Sequence, residues 1–278
     1  MKKKYRMKKI SKPAKDKIIA LIALVILIAC FFSVYSMFNV YDGPGVAKET
    51  EANTFSSDGY FWSEGRLCYE DETRNSVPFV DVSEYQGEID WDRVKKDGIS
   101  HAMIRIGFRS AGGGEIIKDS CYSENVKRTK KAGIERGVYF FSQAVNTEES
   151  VEEARYVLRH IRGKGIELPV VFDMEHITGG DRISKLSIKE KTEITDAFCE
   201  TIEKHGHEAV VYGNPTWLNR NLQLEYLTDY KIWLAHYTDI TDFDKAFSMM
   251  QYTDCGNVSG IKGYVDLNFM VKDKENED

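Results

Sequence analysis

The sequence lacks the motifs that mark the commonest metal and covalent chemistries. None of the five cysteines forms a C-x-x-C pair, and "HEAVV" at 207–211 is not the H-E-x-x-H of a zinc protease. No serine or cysteine lies in a nucleophile elbow. The glycine-rich "GFRSAGGGE" at 107–115 lacks the Lys-Ser/Thr of a phosphate-binding loop, and His205 and His207 end a predicted helix without further ligands nearby. We therefore expect no metal site and no cofactor.

Positive charge is scarce beyond the first 17 residues. Residues 1–17 carry nine Lys/Arg and one Asp, whereas the rest of the chain carries 29 basic and 43 acidic side chains. An acidic body repels the phosphates of nucleic acid, so we expect no nucleic-acid partner for it. The basic residues at the N-terminus have a different use, because they precede an uncharged segment.

Residues 18–38 contain no charged side chain over 21 positions, enough for a helix to cross about 30 Å of hydrocarbon. Lys and Arg before this segment favour a cytoplasmic N-terminus and an external body. We therefore predict a basic cytoplasmic head (1–17) and a single-pass transmembrane signal-anchor helix (18–38) in a bacterial cell membrane. The alternative is a cleaved signal peptide and a secreted protein, although the apolar run is long for one and no clear A-x-A site follows. Disulfides are permitted outside the cell, and the spacing leaves the pairing open for Cys68, Cys121, Cys199 and Cys255.

The remainder of the chain divides into a linker and a repeating pattern. Residues 39–76 are predicted to be an extracytoplasmic stalk with a small hairpin. Over residues 77–272, apolar strand-like runs alternate with helix-like stretches, one of which starts with the capping box Ser187-x-x-Glu190. This alternation predicts an α/β fold with a mainly parallel sheet, an irregular (β/α) TIM-like barrel. Residues 273–278 are expected to be a disordered tail.

Four acidic residues fall at the ends of predicted strands, where barrel enzymes carry their chemistry. Asp81 ends "VPFVD", Asp173 and Glu175 end "LPVVFDME", and Asp266 lies in "GYVDLN". Burying a lone carboxylate in an apolar strand is costly, so four at equivalent ends indicate a shared site with shifted pKa values. The alternative is that individual acids cap helices or pair with Arg105 and Arg109.

The spacing of Asp173 and Glu175 indicates acid–base chemistry. Two positions apart on a strand, their side chains point to one face from Cα atoms about 6.6–6.8 Å apart. Close carboxylates drive their pKa values apart, so that one keeps a proton while the other stays charged. Cleavage of a glycosidic bond needs this division, with a proton donor and a negative group near the oxocarbenium centre. The spacing does not distinguish retaining from inverting cleavage.

Aromatic side chains near the same strand ends favour a saccharide ligand. Tyr139 and Phe141 share one strand face, as do Trp233 and Tyr237, while Tyr212 lies near a strand end. Aromatic rings can stack on the C–H faces of sugars while their polar tips form hydrogen bonds. The alternative is that these rings fill the barrel core, which is our expectation for Phe141.

Six segments occur in a characteristic order along residues 77–270. They are "DVSEYQGEIDWDRVKKDGI", "AMIRIGF", "NVKRTKKAGIERGVYFFS", "LPVVFDME", "WLAHYT" and "QYTDCGNVSGIKGYVDLN". Together they resemble the glycoside hydrolase family 25 lysozymes, the Chalaropsis-type muramidases. The resemblance implies an irregular (β/α) barrel that cleaves the β-1,4 bond after N-acetylmuramic acid in peptidoglycan.

The resemblance also implies a role for each acid. Glu175 would be the general acid, and Asp173 would stay charged and steer the substrate's 2-acetamido group, which acts as the internal nucleophile. Asp81 and Asp266 would shape the charge and hydrogen bonding of the saccharide site. The groove-lining positions of the family match Tyr139, Tyr212, Trp233, Tyr237 and Gln251.

The sequence departs from the usual family pattern at Phe79, Phe140 and Met250, where many members have Gly, His and Trp. None of these changes removes a catalytic carboxylate. The leading hypothesis is a membrane-anchored lysozyme (1,4-β-N-acetylmuramidase) for local cell-wall remodelling, with peptidoglycan glycan strands as its partner and residues 18–38 in the membrane. Two alternatives remain: a hydrolase of another extracellular polysaccharide, and a catalytically inactive wall-binding module.

Overall fold

The computed structural model describes Lys17, residues 21–28 and residues 41–274. The chain divides into two compact units, Met1–Asp42 and Gly43–Asp278. In the first unit, Lys17 and residues 21–28 are helical. Within the described residues, no helix combines the length and the apolar character that crossing a membrane requires. Most of the predicted head and of the predicted span at 18–38 lies outside the described residues.

The second unit is built on a closed barrel of eight strands, β3, β4 and β6–β11, in a set of eleven. The strands are β1 (Tyr60–Ser63), β2 (Arg66–Tyr69), β3 (Arg74–Val82), β4 (His101–Arg109), β5 (Ile116–Lys118), β6 (Glu135–Ser142), β7 (Val170–Met174), β8 (Ala209–Gly213), β9 (Lys231–Ala235), β10 (Met249–Gly256) and β11 (Val265–Asp273). Their order is β3-β11-β10-β9-β8-β7-β6-β4, and β4 pairs back with β3. Only β11 runs antiparallel to its barrel neighbours, so the predicted α/β barrel with a mainly parallel sheet is confirmed.

Helices flank the parallel part of this barrel. Within residues 43–274 they are α1 (Trp91–Lys96), α2 (Tyr122–Ala132), α3 (Thr147–Ile161), α4 (Ile188–Glu203) and α5 (Pro215–Asn221). The predicted capping box is present at the start of α4, where Ser187 Oγ accepts from the Glu190 N–H and the Glu190 carboxylate accepts from the Ser187 N–H. Among the described residues no helix separates β9, β10 and β11, which is the irregularity that the short links in the sequence predict.

Two apolar layers form the core. The larger lies between the barrel and its outer elements, and the smaller fills the barrel interior with Phe79, Met103, Val171, Val210, Trp233, Met249 and Met270. Side chains alternate between the two faces of a strand, so the interior positions two residues after Phe79 and Val171 are Asp81 and Asp173. The interior is therefore apolar in its lower part and acidic at the end where the parallel strands finish.

The segment predicted to be a stalk is packed against the barrel from Lys48 onward. The Asn53 N–H donates to the Asp244 carbonyl and the Ala246 N–H donates to the Glu51 carbonyl, each at 2.9 Å. These bonds lie near the N-terminal ends of β9 and β10. The part of the predicted stalk from Lys48 to Asn53 therefore packs on the barrel unit, because backbone groups of Lys48, Glu51 and Asn53 find partners there.

The predicted hairpin is present as β1 and β2, and it covers the strands that have no helix. Phe55, just before it, lies with its ring centroid 4.7 Å from Tyr69 and 4.6 Å from Phe247. The Tyr60 ring contacts Phe269 of β11 at 6.3 Å. These aromatic contacts supply the burial that helices give to the other strands.

The predicted disordered tail is ordered at its first residues. Asp273 ends β11, and the Lys274 N–H donates to the Thr73 carbonyl at 2.8 Å. The Lys274 ammonium donates to Glu70 at 2.8 Å. Residues 275–278 lie outside the described part of the chain.

Candidate active site

The four predicted acids meet at the C-terminal mouth of the barrel. Asp81 on β3 lies opposite Asp266 on the antiparallel β11, and Asp173 is the penultimate residue of β7. Glu175 comes directly after that strand, on the loop to α4. Asp81 and Asp173 are each 6% exposed, whereas Glu175 and Asp266 are half-buried. The electrostatic influence of Asp81 reaches the other three carboxyl groups, which makes the four acids one site.

Asp81 is held by two amide side chains. Its Oδ2 accepts a hydrogen bond from Gln251 Nε2 at 3.0 Å and from Asn268 Nδ2 at 2.8 Å. Burial raises the pKa of Asp81 to about 6, against the lowering effect of these two hydrogen bonds. The Asp81 carboxylate is thus fixed in position, and the two uncharged amide donors stabilise its negative charge.

Two tyrosines at the mouth are connected to Asp81 through Gln251. Both hydroxyl groups donate to Gln251 Oε1, that of Tyr212 at 2.9 Å and that of Tyr237 at 3.1 Å. Gln251 is 3% exposed, so its side chain offers little surface to a ligand. Its amide instead fixes the position of Asp81 relative to the two tyrosine hydroxyl groups. The prediction that Gln251 lines the groove is therefore wrong, because the side chain lies below the surface of the mouth.

Trp233 lies beneath the site. Its side chain is 2% exposed, its indole N–H donates to Asn268 Oδ1 at 3.0 Å, and the Tyr212 ring packs edge-on against it at 4.9 Å. The prediction that Trp233 presents a face to sugar is therefore wrong, because Tyr212 and Tyr139 cover it. Tyr139, also predicted to line the groove, is partly exposed and contacts Trp233 at 6.4 Å.

The electrostatics of Asp173 differ from the sequence-based prediction. Burial raises the pKa of Asp173 well above its ordinary value, and the Glu175 and Asp81 carboxylates raise it further, while Arg105 lowers it. Its Oδ1 atom is buried and has no hydrogen-bond partner among the described residues. Burial and the two neighbouring carboxylates therefore oppose the charged state predicted for Asp173, whereas Arg105 favours it.

Glu175 and Asp266 also hold protons more tightly than ordinary carboxyl groups. The pKa of Glu175 is raised by burial and by the charge of Asp81. The pKa of Asp266 is raised to about 8 by burial, with Asp81 as its strongest charged neighbour. The acids at the mouth therefore keep their protons to a higher pH than ordinary carboxyl groups, as groups in catalytic sites often do.

The nearby arginines pair with other acids. Arg105 Nε donates to Asp119 at 2.8 Å and its Nη2 donates to Glu84 at 3.1 Å. Arg109 Nε donates to Glu153 at 2.6 Å. Among the described residues neither guanidinium forms an ion pair with the four site acids. The alternative that the site acids pair with Arg105 and Arg109 is therefore wrong.

Three residues of the site escaped the sequence analysis. Asn268 follows Asp266 by two positions on β11, and this same-face spacing could have identified it. Tyr85 and Phe108 flank the Arg105 guanidinium, with ring centroids 5.0 Å and 5.1 Å from its central carbon. Tyr85 follows β3 at the mouth and is 82% exposed, so its ring is available to a ligand.

A pocket of about 660 Å³ opens beside Glu175. Its walls include Glu175, His176, Tyr212, Trp217, His236 and Tyr237. Aromatic rings and polar groups around a carboxyl group suit a saccharide, which offers apolar C–H faces and hydroxyl groups together. Phe141, which pairs with Asp173 across β6 and β7, is half-buried beside this site.

Neither a grouped set of metal ligands nor a disulfide is present among the described residues. Among the described residues, no three His, Cys, Asp or Glu side chains are grouped as a metal ion would require. The cysteines of residues 41–274 are free thiols: Cys68, Cys121, Cys199 and Cys255.

Comparison with known proteins agrees with this geometry. The family model of glycosyl hydrolases family 25 matches residues 80–261. The Escherichia coli K12 protein YegX, itself uncharacterized, is 32% identical over 193 residues, which cover 68% of this chain and 67% of YegX. Lysozyme M1 of Streptomyces globisporus is 29% identical over 204 residues, covering 70% of this chain and 67% of that enzyme.

A solved structure shares the fold. The modular autolysin LytC of Streptococcus pneumoniae, in complex with a synthetic peptidoglycan ligand, superposes with a TM-score of 0.63 at 22% identity. The match covers 76% of this chain and 52% of LytC, so this chain spans about half the length of that autolysin. The family match covers most of the barrel and includes Asp81, Asp173 and Glu175, and the resemblance drawn from the sequence is confirmed: the chain belongs to glycosyl hydrolases family 25.

Proposed function

We propose that this chain is a membrane-anchored peptidoglycan hydrolase that cleaves the β-1,4 bond between N-acetylmuramic acid and N-acetylglucosamine. The observation that carries the proposal is the carboxyl pair of Asp173 and Glu175, buried at the barrel mouth beside a pocket of about 660 Å³. Membership of family 25 supplies the reaction class. The lysozyme among its relatives and the peptidoglycan complex of LytC support the substrate.

Glu175 is the proposed general acid. Because its pKa is raised, the Glu175 carboxyl keeps its proton to a higher pH than an ordinary glutamate would. Glu175 also lines the pocket in which the scissile bond would lie. The proton passes to the glycosidic oxygen as the bond to the N-acetylmuramic acid C1 breaks. The resulting Glu175 carboxylate then takes a proton from the water that completes hydrolysis.

Asp173 is proposed to bind the substrate's acetamido group. Its buried Oδ1, unpartnered within the described residues, is suited to accept the substrate's amide N–H. That hydrogen bond favours the charged form of Asp173, so its proton can leave when substrate binds. The amide oxygen, oriented in this way, attacks C1 as the internal nucleophile. Substrate binding would thus restore the division of charge that the sequence predicts.

The remaining site residues are proposed to shape the saccharide site from two depths. Tyr139, Tyr212 and Tyr237 are at least partly accessible at the mouth and would contact sugar directly. Gln251, Trp233 and Asn268 would act from beneath by fixing Asp81 and the tyrosines. Asp81 and Asp266 would shape the charge of the site, and the charge of Asp81 raises the pKa of Glu175.

The direct test is digestion of purified peptidoglycan by the compact unit 43–278. New reducing ends on muramic acid are the expected product. Reducing ends on glucosamine would contradict the bond assignment, and release of peptides would contradict the reaction class. Hydrolysis of an unrelated extracellular polysaccharide at a higher kcat/KM would identify a different substrate.

The variant Glu175→Gln tests the residue assignment. It keeps the shape of the side chain but cannot donate a proton, so kcat is expected to fall by about 10²–10⁴-fold while affinity for the glycan is retained. A wall-binding module without catalysis would instead show no turnover in the parent protein and unchanged binding in the variant. Full activity in Glu175→Gln would contradict the assignment.

Anchoring through residues 18–38 is supported by composition and by the described helical residues. Leu21, Ile22, Leu24, Val25, Ile26, Leu27 and Ile28 are 47–67% exposed, and no charged residue interrupts the segment. Exposed apolar side chains around a helix suit a lipid environment. With nine basic residues before it, the catalytic unit would lie outside the cell membrane and act on nearby wall.

The anchor is tested by expressing the full chain in a bacterium. We expect it to resist alkaline extraction of membranes, with the barrel digested by external protease and residues 1–17 protected. The 43–278 unit serves as the soluble control. Release of a shortened protein into the medium would instead favour a cleaved signal peptide.

A further inference from the structure

The Gln143 side chain connects the two ends of the loop that carries Glu175. Gln143 follows β6 and is fully buried. Its Nε2 donates to the Glu175 carbonyl at 3.1 Å, and its Oε1 accepts from the Arg182 N–H at 3.1 Å. Both ends of one amide are therefore used to hold residues 175 and 182 against β6.

Arg182 locks this arrangement from the other side. Its guanidinium donates to the Gln143 carbonyl at 3.0 Å and forms a two-pronged pair with Glu149, at 2.8 Å for each contact. Glu149 lies in the first turn of α3 and also accepts from the Val145 N–H at 3.1 Å. A planar guanidinium fork on a carboxylate fixes direction as well as distance. The loop between β6 and α3 and the loop after β7 are thus joined.

The glycine-rich segment at 107–115 also meets this cluster. Gly114 has φ +80°, and a Cβ atom built there would lie 2.8 Å from the central guanidinium carbon of Arg182. The Gly114 carbonyl accepts from Arg109 Nη1 at 2.6 Å. Because a side chain at 114 would collide with Arg182, glycine permits the close approach. Three loops of the mouth therefore converge on one charged cluster.

The residue before Gln143 is fixed in the same way. Ser142 Oγ donates to Glu153 at 2.7 Å, and Glu153, which is fully buried, accepts from Arg109 at 2.6 Å. The backbone around Gln143 is consequently anchored to α3 through Ser142. The Gln143 side chain can position two loops only if its own backbone is held rigidly, and the contact of Ser142 with Glu153 supplies this rigidity.

We propose that Gln143, held by the Arg182–Glu149 ion pair, is a positioning residue that sets where the Glu175 carboxyl stands relative to the scissile bond. The inference rests on the proposed role of Glu175 as general acid. A displacement of about 1 Å in a reacting group can cost about 10²-fold in rate. Gln143, Arg182 and Glu149 do not line the pocket, and Gln143 contacts Glu175 only through its backbone carbonyl, so substrate affinity should depend little on these contacts.

The test compares steady-state kinetics of Gln143→Met with the parent 43–278 unit. Methionine matches the length of glutamine but forms neither hydrogen bond. We expect kcat to fall by about 10–100-fold with KM within about threefold. We also expect the basic limb of the kcat–pH profile to move to lower pH, because a displaced Glu175 carboxyl becomes better hydrated. Arg182→Lys, which keeps the charge and loses the fork, should give a smaller fall.

Asn125→Ala is the matched control. Asn125 is a buried amide on α2 whose Oδ1 accepts from Trp91 Nε1 at 3.2 Å, and it neither lines the pocket nor contacts Gln143, Arg182 or Glu149. It should lower thermal stability comparably to Gln143→Met while leaving kcat and the pH profile unchanged. An equal loss of kcat in both variants would show a merely structural effect and overturn the inference.

The parallel variant Glu175→Gln separates two failures. If Glu175→Gln retains activity, the proposed function of Glu175 is wrong. If Glu175→Gln is inactive while Gln143→Met has the parental kcat and pH profile, the proposed function stands and the positioning role of Gln143 is wrong.

Discussion

Asp266 is expected to make the stability of the folded unit depend on pH. Its pKa in the folded protein is about 8, raised mainly by burial, whereas an aspartate in an unfolded chain titrates near about 3.9. Between these two values the folded state binds more protons than the unfolded state. Stability contributed by this group is therefore complete below pH ~4 and is lost as the pH rises toward 8.

Asp266→Asn is expected to raise the free energy of unfolding at pH 8 by about 1–3 kcal/mol and to change it little at pH 4. The estimate is smaller than the full pKa shift implies, because the side chain is partly exposed. Urea denaturation of the 43–278 unit at pH 4, 6 and 8 measures the effect. Asp239→Asn, at an exposed position, is the control. A stability difference independent of pH would contradict the prediction.

Tyr85 is expected to bind sugar on the side of the mouth that carries Arg105. Its exposed ring is backed by the Arg105 guanidinium, which is itself held by Asp119, so the ring is presented on a firm support. Tyr85→Ala should raise KM for peptidoglycan fragments by about 5–10-fold and leave kcat within about twofold. Tyr85→Phe keeps the ring and should bind like the parent. Unchanged KM in Tyr85→Ala would place the glycan elsewhere.

The sequence predicts the carboxyl groups of the site better than the residues that support them. Asp81, Asp173, Glu175 and Asp266 stand out because acids at the ends of apolar strands are rare. Strand alternation gives the face of a side chain but not its depth. Alternation gives Trp233 the strand face of Tyr237, and the family resemblance assigns both Trp233 and Gln251 to the groove, although covering side chains place both below the surface. The raised pKa of Asp173 likewise follows from desolvation, which the spacing of residues along the sequence does not reveal.

At the scale of single elements, α4 connects the catalytic loop to the outer layer. Its capping box satisfies two backbone N–H donors at the start of the helix, those of Ser187 and Glu190. The loop that begins with Glu175 after β7 leads into this cap. Ser187→Ala should lower the free energy of unfolding by about 1 kcal/mol. Chemical denaturation of 43–278 measures it.

The same variant should leave kcat unchanged, because Ser187 lies outside the contacts that hold Glu175. Ser123→Ala, at an exposed position in α2 beyond its first residue, is a suitable comparison with little expected effect on stability. A stability loss of equal size in both variants would show that the cap is not the cause.

The elements themselves were predictable wherever local signals end them. Caps and glycines predict where α2 and α4 begin or end, and Gly133 does adopt the left-handed conformation at the end of α2 with φ 67°. The packed segment from Lys48 to Phe55 was not predictable. Its backbone pairs with residues near Asp244, almost 200 positions away, and such pairing leaves no periodic pattern in a polar stretch.

At the scale of the whole unit, the barrel has two kinds of cover. Helices protect the parallel strands, while the hairpin and the segment before it protect β3, β10 and β11. Tyr252 and Phe269 on those strands are nearly fully buried, and Trp62 and Tyr60 contact them edge-on at 5.9 Å and 6.3 Å. Removing the hairpin would expose a contiguous apolar surface, which favours aggregation.

The unit 43–278 is therefore expected to fold, whereas a fragment that begins at Val77 should be insoluble or strongly destabilised. Phe55→Ala offers a milder test of the same cover. Because Phe55 is only partly buried between Tyr69 and Phe247, its loss should cost about 2–3 kcal/mol, below the range for a fully buried phenylalanine. Phe61→Ala, on the exposed side of the hairpin, should cost less than about 1 kcal/mol. Equal stability of the 77–278 and 43–278 fragments would show that the barrel needs no such cover.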